Sequence, residues 1–224
     1  MLAAFCADAS ASGFQLLEQN ASGLGNAYAG QAASAQDSST IFFNPAGMTQ
    51  LPGRNAVGAL HLIKPSMEFT NTGSTSANPL LPLGGNGGDA GDWAAVPNLY
   101  YSWQVSPQLF VGVGVNAPYG LKTEYEPRWV GRFHAITSDL KTVNVNPSVA
   151  LKVSDTLSIG AGINFQRADA TLSNAVNFGA LGEGTATVKG DDTTWGWNAG
   201  VLFSPSPNTR IGAALQTATR ANVV

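Results

Sequence analysis

The chain has 224 residues, a formal net charge of −3, 11% charged residues, 26 glycines, 12 prolines and one cysteine. Its apolar share of 44% and low net charge exclude a disordered chain. Lys and Arg number 11 against 14 Asp and Glu, so no basic surface for nucleic acid is expected, and one Cys with two His cannot frame a disulfide scaffold or a usual zinc site. In chain order, residues 1–11 read as the tail of a signal peptide, because Ala9-Ser10-Ala11 is a small-x-small cleavage site. Residues 12–52 do not alternate; rich in Gln, Ala, Ser and Gly, they predict short helices and turns with no oily surface of their own. About 40 such residues cannot bury a core alone, so the lumen of a barrel is their expected place.

From residue 53 onward the pattern has period two. Leu109, Val111, Val113, Val115, Ala117 and Tyr119 alternate with Phe110, Gly112, Gly114, Asn116, Pro118 and Gly120. Runs around Leu99–Val105, Val143–Val153, Leu157–Phe165, Trp195–Phe203 and Ile211–Leu215 keep the same odd-numbered apolar face. Their other face is Gly, Ala, Ser and Asn rather than the Lys, Glu and Thr of a wetted soluble sheet. Seven strands are predicted, over about 54–70, 96–105, 109–120, 139–153, 157–172, 193–204 and 209–220. Short turns at 106–108, 154–156 and 204–208 and longer irregular segments at 71–92, 121–138 and 173–191 give the two unlike ends of an outer-membrane barrel. Ten steps of ~3.4 Å tilted by ~45° rise about 24 Å, which matches the apolar band of such barrels. Trp103 and Phe203 fall near the short turns, and Trp93, Tyr119 and Trp195 near the long segments, as interfacial belts. The predicted fold is therefore all-β: a transmembrane antiparallel barrel with a small N-terminal element of helices and turns.

Several sequence signatures have a familiar order. Ser12-Gly13-Phe14-Gln15-Leu16 precedes Ser22-Gly23-Leu24-Gly25-Asn26-Ala27-Tyr28-Ala29-Gly30 and Phe43-Asn44-Pro45-Ala46-Gly47-Met48. Val96-Pro97-Asn98-Leu99-Tyr100-Tyr101 and Asn116-Ala117-Pro118-Tyr119-Gly120-Leu121 follow. The series resembles the FadL-type long-chain fatty-acid transporters of Gram-negative outer membranes, a family that includes aromatic-hydrocarbon channels. That resemblance, from Ser12 to about Arg220, implies a barrel of about 14 strands with residues 12–52 as a hatch and 53–224 as its first half. It implies passive uptake of long-chain fatty acids or other hydrophobic ligands, with hatch rearrangement and lateral release at a kinked third strand. Phe14 matches an early aromatic near the pocket, Asn44, Pro45 and Ala46 the hatch signature, and Asn116, Pro118, Tyr119 and Gly120 the kink. Pro118 has no N–H and Gly120 no Cβ, which makes a gap in the ladder there physically reasonable, although a plain strand end is an alternative. Asn44-Pro45 also reads as a turn that folds the hatch. The predicted seven strands are half of the implied number, and 173–191 is shorter than the corresponding loop of the family.

Other motifs carry less. Gly23-Leu24-Gly25 follows no Val/Ile strand, so no dinucleotide site is expected. His61 and His134 accompany no Gly-x-Ser-x-Gly, so no catalytic residues, and hence no enzyme, are expected. Asp191-Asp192 is too small a donor set for calcium; no metal or cofactor is expected. Arg128 and Arg132 flank Trp129 and read as solvated loop charges rather than a phosphate site. The expected setting is the outer membrane of a Gram-negative bacterium, with membrane lipid and lipopolysaccharide as surroundings, no nucleic acid, and a monomeric state. The alternative is a non-transport surface barrel, an adhesin or a structural protein.

Overall fold

Apolar side chains on alternate strand positions point outward and the polar ones are buried, the inverse of a soluble sheet. The computed structural model describes residues 14–76 and 82–217; the signal-peptide remnant expected at 1–11 lies outside them. The strands are β1 (Arg54–Ile63), β2 (Ala94–Gln104), β3 (Leu109–Asn116), β4 (Gly120–Glu124), β5 (Thr137–Lys152), β6 (Leu157–Asn177), β7 (Glu183–Ser206) and β8 (Thr209–Gln216). They form one antiparallel sheet in the order β1-β2-β3-β5-β6-β7-β8, with β4 also paired to β5. β3 and β4 are thus two pieces of one wall position, and the wall has the seven positions expected from the sequence.

The boundaries differ from expectation in three places. β1 ends at Ile63, not near residue 70. The third strand, expected as one span over about 109–120, breaks after Asn116 and resumes at Gly120, at the place where Pro118 and Gly120 made a ladder gap reasonable. Segment 173–191, expected to be irregular, is an extension of the β6–β7 hairpin, with Thr171↔Lys189, Ser173↔Thr187 and Ala175↔Thr185 as cross-strand partners. Its glycines suggested a loop, but Gly184 and Gly190 sit within the ladder. The turn itself occupies only the residues between Asn177 and Glu183, where Gly179 and Gly182 adopt positive φ.

Leu99, Val113, Val145, Ile163, Trp197 and Val201 are exposed on the outward face. Asn98, Ser102, Asn144, Asn146, Asn164 and Asn198 are buried on the inward face. Buried amides are costly unless bonded, and they bond laterally: Asn144 Nδ2 donates to Asn116 Oδ1 (3.1 Å) and Asn164 Oδ1 (3.0 Å), and Asn146 Nδ2 to Asn198 Oδ1 (3.1 Å). At the short-turn end, the Arg54 guanidinium lies 5.2 Å from the Trp103 ring centroid, an amphipathic pair suited to a membrane boundary.

The N-terminal segment lies against the inward face. It contains α1 (Gln31–Ser34), α2 (Thr40–Phe43) and two 3-10 turns, Leu24–Asn26 and Pro45–Gln50. Asn44 starts the second turn: its side-chain oxygen accepts from Ala46 N (3.0 Å), and Pro45 occupies the first helical position, where an N–H is not needed. Ile41 and Met48 from this segment meet Tyr100, Phe110 and Ala150 from the wall in a small apolar core. The glycines of the inward face make the approach possible. A Cβ at Gly160 would strike the backbone of Pro45 and Ala46, and one at Gly200 the Asn44 side chain. Polar stitches complete the seat: Ser38 Oγ to Ser102 Oγ (2.9 Å), Thr49 Oγ1 to Ser158 Oγ (2.7 Å) and Asn198 Nδ2 to Ile41 O (3.2 Å).

An outward-facing β3 position should not tolerate charge. Val113→Arg should destabilise the protein folded in a bilayer by about 2–4 kcal/mol, read from denaturant titration of membrane-inserted protein.

Candidate functional site

The break in the third strand opens a window in the wall. β2 and β3 pair from Gln104↔Phe110 up to Leu99↔Val115 and then part. Across β5, three residues (117–119) face only two (142–143), because Asn116 pairs with Asn144 and Gly120 with Lys141. The extra residue flips the alternation, so Leu121 shares a face with Leu140, on the inward-facing side of β5, rather than with the outward-facing Lys141. Above the break the wall closes again through irregular pairing: Glu124 N donates to Ala90 O (3.0 Å) and Glu126 N to Gly87 O (3.1 Å).

Between these two closures lies a cavity of about 580 Å³. Residues from both faces of the sheet line it, among them Val96 and Asn116 from the inward face and Pro97, Val115 and Val143 from the outward face. A cavity lined by both faces passes through the sheet. Residues 14–16 fill its open ladder. Leu16 N donates to Pro118 O (2.9 Å), Gly120 N donates to Phe14 O (3.0 Å), and Gln15 bridges Tyr119 in antiparallel sense. Backbone groups that the break leaves without a strand partner are therefore satisfied by the N-terminal segment. Thr142 Oγ1 serves Tyr119, accepting from its N (3.0 Å) and donating to its O (2.6 Å).

Gln19 ties this plug of three residues to the wall. It is buried, and its Nε2 donates to Leu16 O (2.9 Å) and Ala117 O (3.1 Å) while its Oε1 accepts from Asn116 Nδ2 (2.7 Å). Its carbonyl accepts from Tyr100 Oη (3.0 Å), and the neighbouring Glu18 carbonyl accepts from Asn98 Nδ2 (2.7 Å).

The residues singled out from the sequence fall into two groups. Asn116, Tyr119 and Gly120 line the window, and Pro118 and Phe14 bond the plug through their carbonyls. Asn44, Pro45 and Ala46 do not line it; they are buried where the segment seats on β6 and β7, with Asn44 Nδ2 donating to Ala32 O (2.7 Å) and Val201 O (3.0 Å). Gln19 and Leu16 were not singled out, since nothing in a Gln-rich stretch marks the one glutamine that reaches a broken strand.

A family model described as outer membrane protein transport protein (OMPP1/FadL/TodX) matches residues 2–223. The chain belongs to the FadL/TodX family of outer-membrane transport proteins. It is 33% identical over 231 residues to a 47 kDa outer membrane protein of Pasteurella multocida, covering 95% of this chain and 51% of that protein. It is 28% identical over 224 residues to a long-chain fatty acid transport protein of Escherichia coli, covering 89% of this chain and 49% of the relative. A Pseudomonas aeruginosa FadL homologue of known structure superposes with a TM-score of 0.76 at 25% identity, covering 93% of this chain and 53% of that one. The Ralstonia pickettii toluene transporter TbuX shares the fold, with a TM-score of 0.62 at 20% identity over 82% of this chain and 53% of its own. The chain spans about half the length of the curated relatives it matches. As a FadL/TodX member it is an outer-membrane protein of a Gram-negative bacterium, so the short turns face the periplasm and the long segments the outside.

On the outside, Arg132 corrects the reading of a solvated loop charge. It is 3% exposed and grips Glu183 with two bonds (2.8 and 2.7 Å) while donating to the carbonyls of Pro82, Leu83 and Trp129. The mechanism is a planar fork that satisfies several acceptors at once. Trp129 stacks on Tyr125 (4.0 Å) and meets Phe69 edge-on (5.5 Å). One arginine thus joins three outer segments above the window.

Two outcomes follow from these contacts. Gln19→Ala leaves Asn116 and Ala117 O without that partner, at about 1–3 kcal/mol per stranded buried group. Residues 14–20 should then exchange amide hydrogens faster, while the β6–β7 ladder keeps its protection. The bond from Arg132 holds the Glu183 carboxyl below the ordinary glutamate value of 4.5. Its contribution is full above that value and is lost as pH falls through the lower one. Trp129 fluorescence should therefore report undocking of the outer segments in acid, and Glu183→Gln should show it at neutral pH.

Proposed function

We propose that residues 12–52 act as a hatch and 53–224 as the first half of a barrel completed by further strands. The whole protein then works as a passive, monomeric channel for hydrophobic small molecules, set among lipid and lipopolysaccharide. Long-chain fatty acids are the leading substrate and aromatic hydrocarbons the second. The observation that carries this reading is the apolar cavity passing through the wall at the break of the third strand, sealed by residues 14–16. A hydrophobic ligand entering from the lumen side gains by leaving toward lipid, so no energy input is needed. Opening requires release of the three-residue plug. That equilibrium shifts only if the ligand binds the open state better than the closed one. Asn44, Pro45 and Ala46 anchor the far end of the hatch, so that movement near Phe14 need not unseat the whole segment.

The test is uptake of labelled oleate by a Gram-negative host lacking its own fatty-acid transporter and expressing the full-length protein. Gln15→Cys with Tyr119→Cys places thiols on bridge partners. Oxidation should lock the plug and lower uptake, and a reductant should restore it. Uptake that ignores the crosslink would overturn lateral release at the window. A folded full-length protein that restores neither fatty-acid nor hydrocarbon uptake would leave a non-transport surface barrel as the reading.

A further inference from the structure

The two cations that line the window each hold a carboxylate. Lys122 Nζ lies 2.9 Å from Asp92 and 3.5 Å from Glu124, and Lys141 Nζ lies 2.8 Å from Asp139. These are the two cations lining the cavity among the described residues, and each already holds a carboxylate. Lys64, from the end of β1, sits near the rim with its ammonium 5.8 Å from the Trp93 ring centroid. Residues 14–16 bring no charge. The hydrogen bond from Lys122 holds the Asp92 carboxyl below its ordinary range, so this pair stays ionised at neutral pH.

Between the rims the lining is apolar, with Ile63, Val96, Val115, Leu121 and Leu140 prominent. Its polar members are occupied: Asn116 Nδ2 donates to Gln19, and Thr142 Oγ1 donates to the Tyr119 carbonyl. A carboxylate entering this slot loses water, finds both lining cations already holding carboxylates, and meets the carboxylates of Asp92 and Asp139. A buried unpaired carboxylate is far more costly than a proton taken from solvent, so the group neutralises instead.

We infer that the window admits its ligands in uncharged form: neutral hydrophobes directly, and fatty acids as the protonated acid. This rests on the channel reading and narrows its substrate class. The proton is taken from water before entry and returned to water or the headgroup region afterward, so no residue of the protein changes charge.

Outer-membrane vesicles carrying the full-length protein, corrected by vesicles without it, should be given dodecanol and dodecanoic acid between pH 5.5 and 9. The expected acid-to-alcohol uptake ratio falls about tenfold for each pH unit above the acid's own pKa. Asp92→Asn with Glu124→Gln leaves Lys122 to hold a ligand carboxylate and should flatten that fall. A ratio independent of pH in the natural protein, or the same slope in the variant, overturns the inference while alcohol uptake still supports a channel. No protein-dependent alcohol uptake at any pH overturns the channel reading and this inference with it.

Discussion

Backbone hydrogen bonding governs this sheet, because lipid offers no substitute for a missing partner. Along β5, β6 and β7 the ladders run for many residues with matched partners. The third strand is the exception. There the outward band is interrupted at Ala117, Pro118 and Tyr119, and the vacancy is filled by three residues of the N-terminal segment. A proline at the break removes one donor that would otherwise need a partner, and Thr142 serves both polar groups of Tyr119. At the break, Ala117 O, Pro118 O, Gly120 N and both polar groups of Tyr119 have each been given a specific replacement partner.

That replacement depends on the inward face being small and polar. Glycine at 160 and 200 lets the N-terminal segment lie backbone against wall, and buried asparagines and serines give it bonding partners. The two ends of the segment are held differently. At Asn44–Ala46 the contacts are close, buried and shared with β6 and β7. At Phe14–Gln19 they are a few hydrogen bonds to the edges of a break. One end is packed backbone against wall, and the other is held by hydrogen bonds to Asn98, Tyr100, Asn116, Ala117, Pro118 and Gly120.

Most of the wall was legible in the sequence, because lipid on one face and a narrow interior on the other impose a strict period of two. The short turns at 106–108 and 154–156 were equally plain. The β6–β7 extension was not, since Gly184 and Gly190 carry a loop signature that cross-strand pairing overrides. Arg132 was misread for a related reason: its burial comes from Pro82, Leu83 and Glu183, which are remote in the chain. Three of the residues suggested by resemblance line the window, whereas Asn44, Pro45 and Ala46 form the seat of the segment.

Alternation and composition by themselves determined an outward apolar face, an inward small face, seven wall positions and an N-terminal element of short helices and turns. These follow from local periodicity and from the surface each stretch can bury. Tertiary structure decided which three residues close the break, that Gln19 holds them, and that the two cations lining the window each hold a carboxylate. The first two arise from contacts between residues about 100 positions apart, such as Leu16 with Pro118 and Gln19 with Asn116, and the ion pair of Lys122 with Asp92 spans 30 positions. Local pattern carries no information about which distant partner a strand break will find.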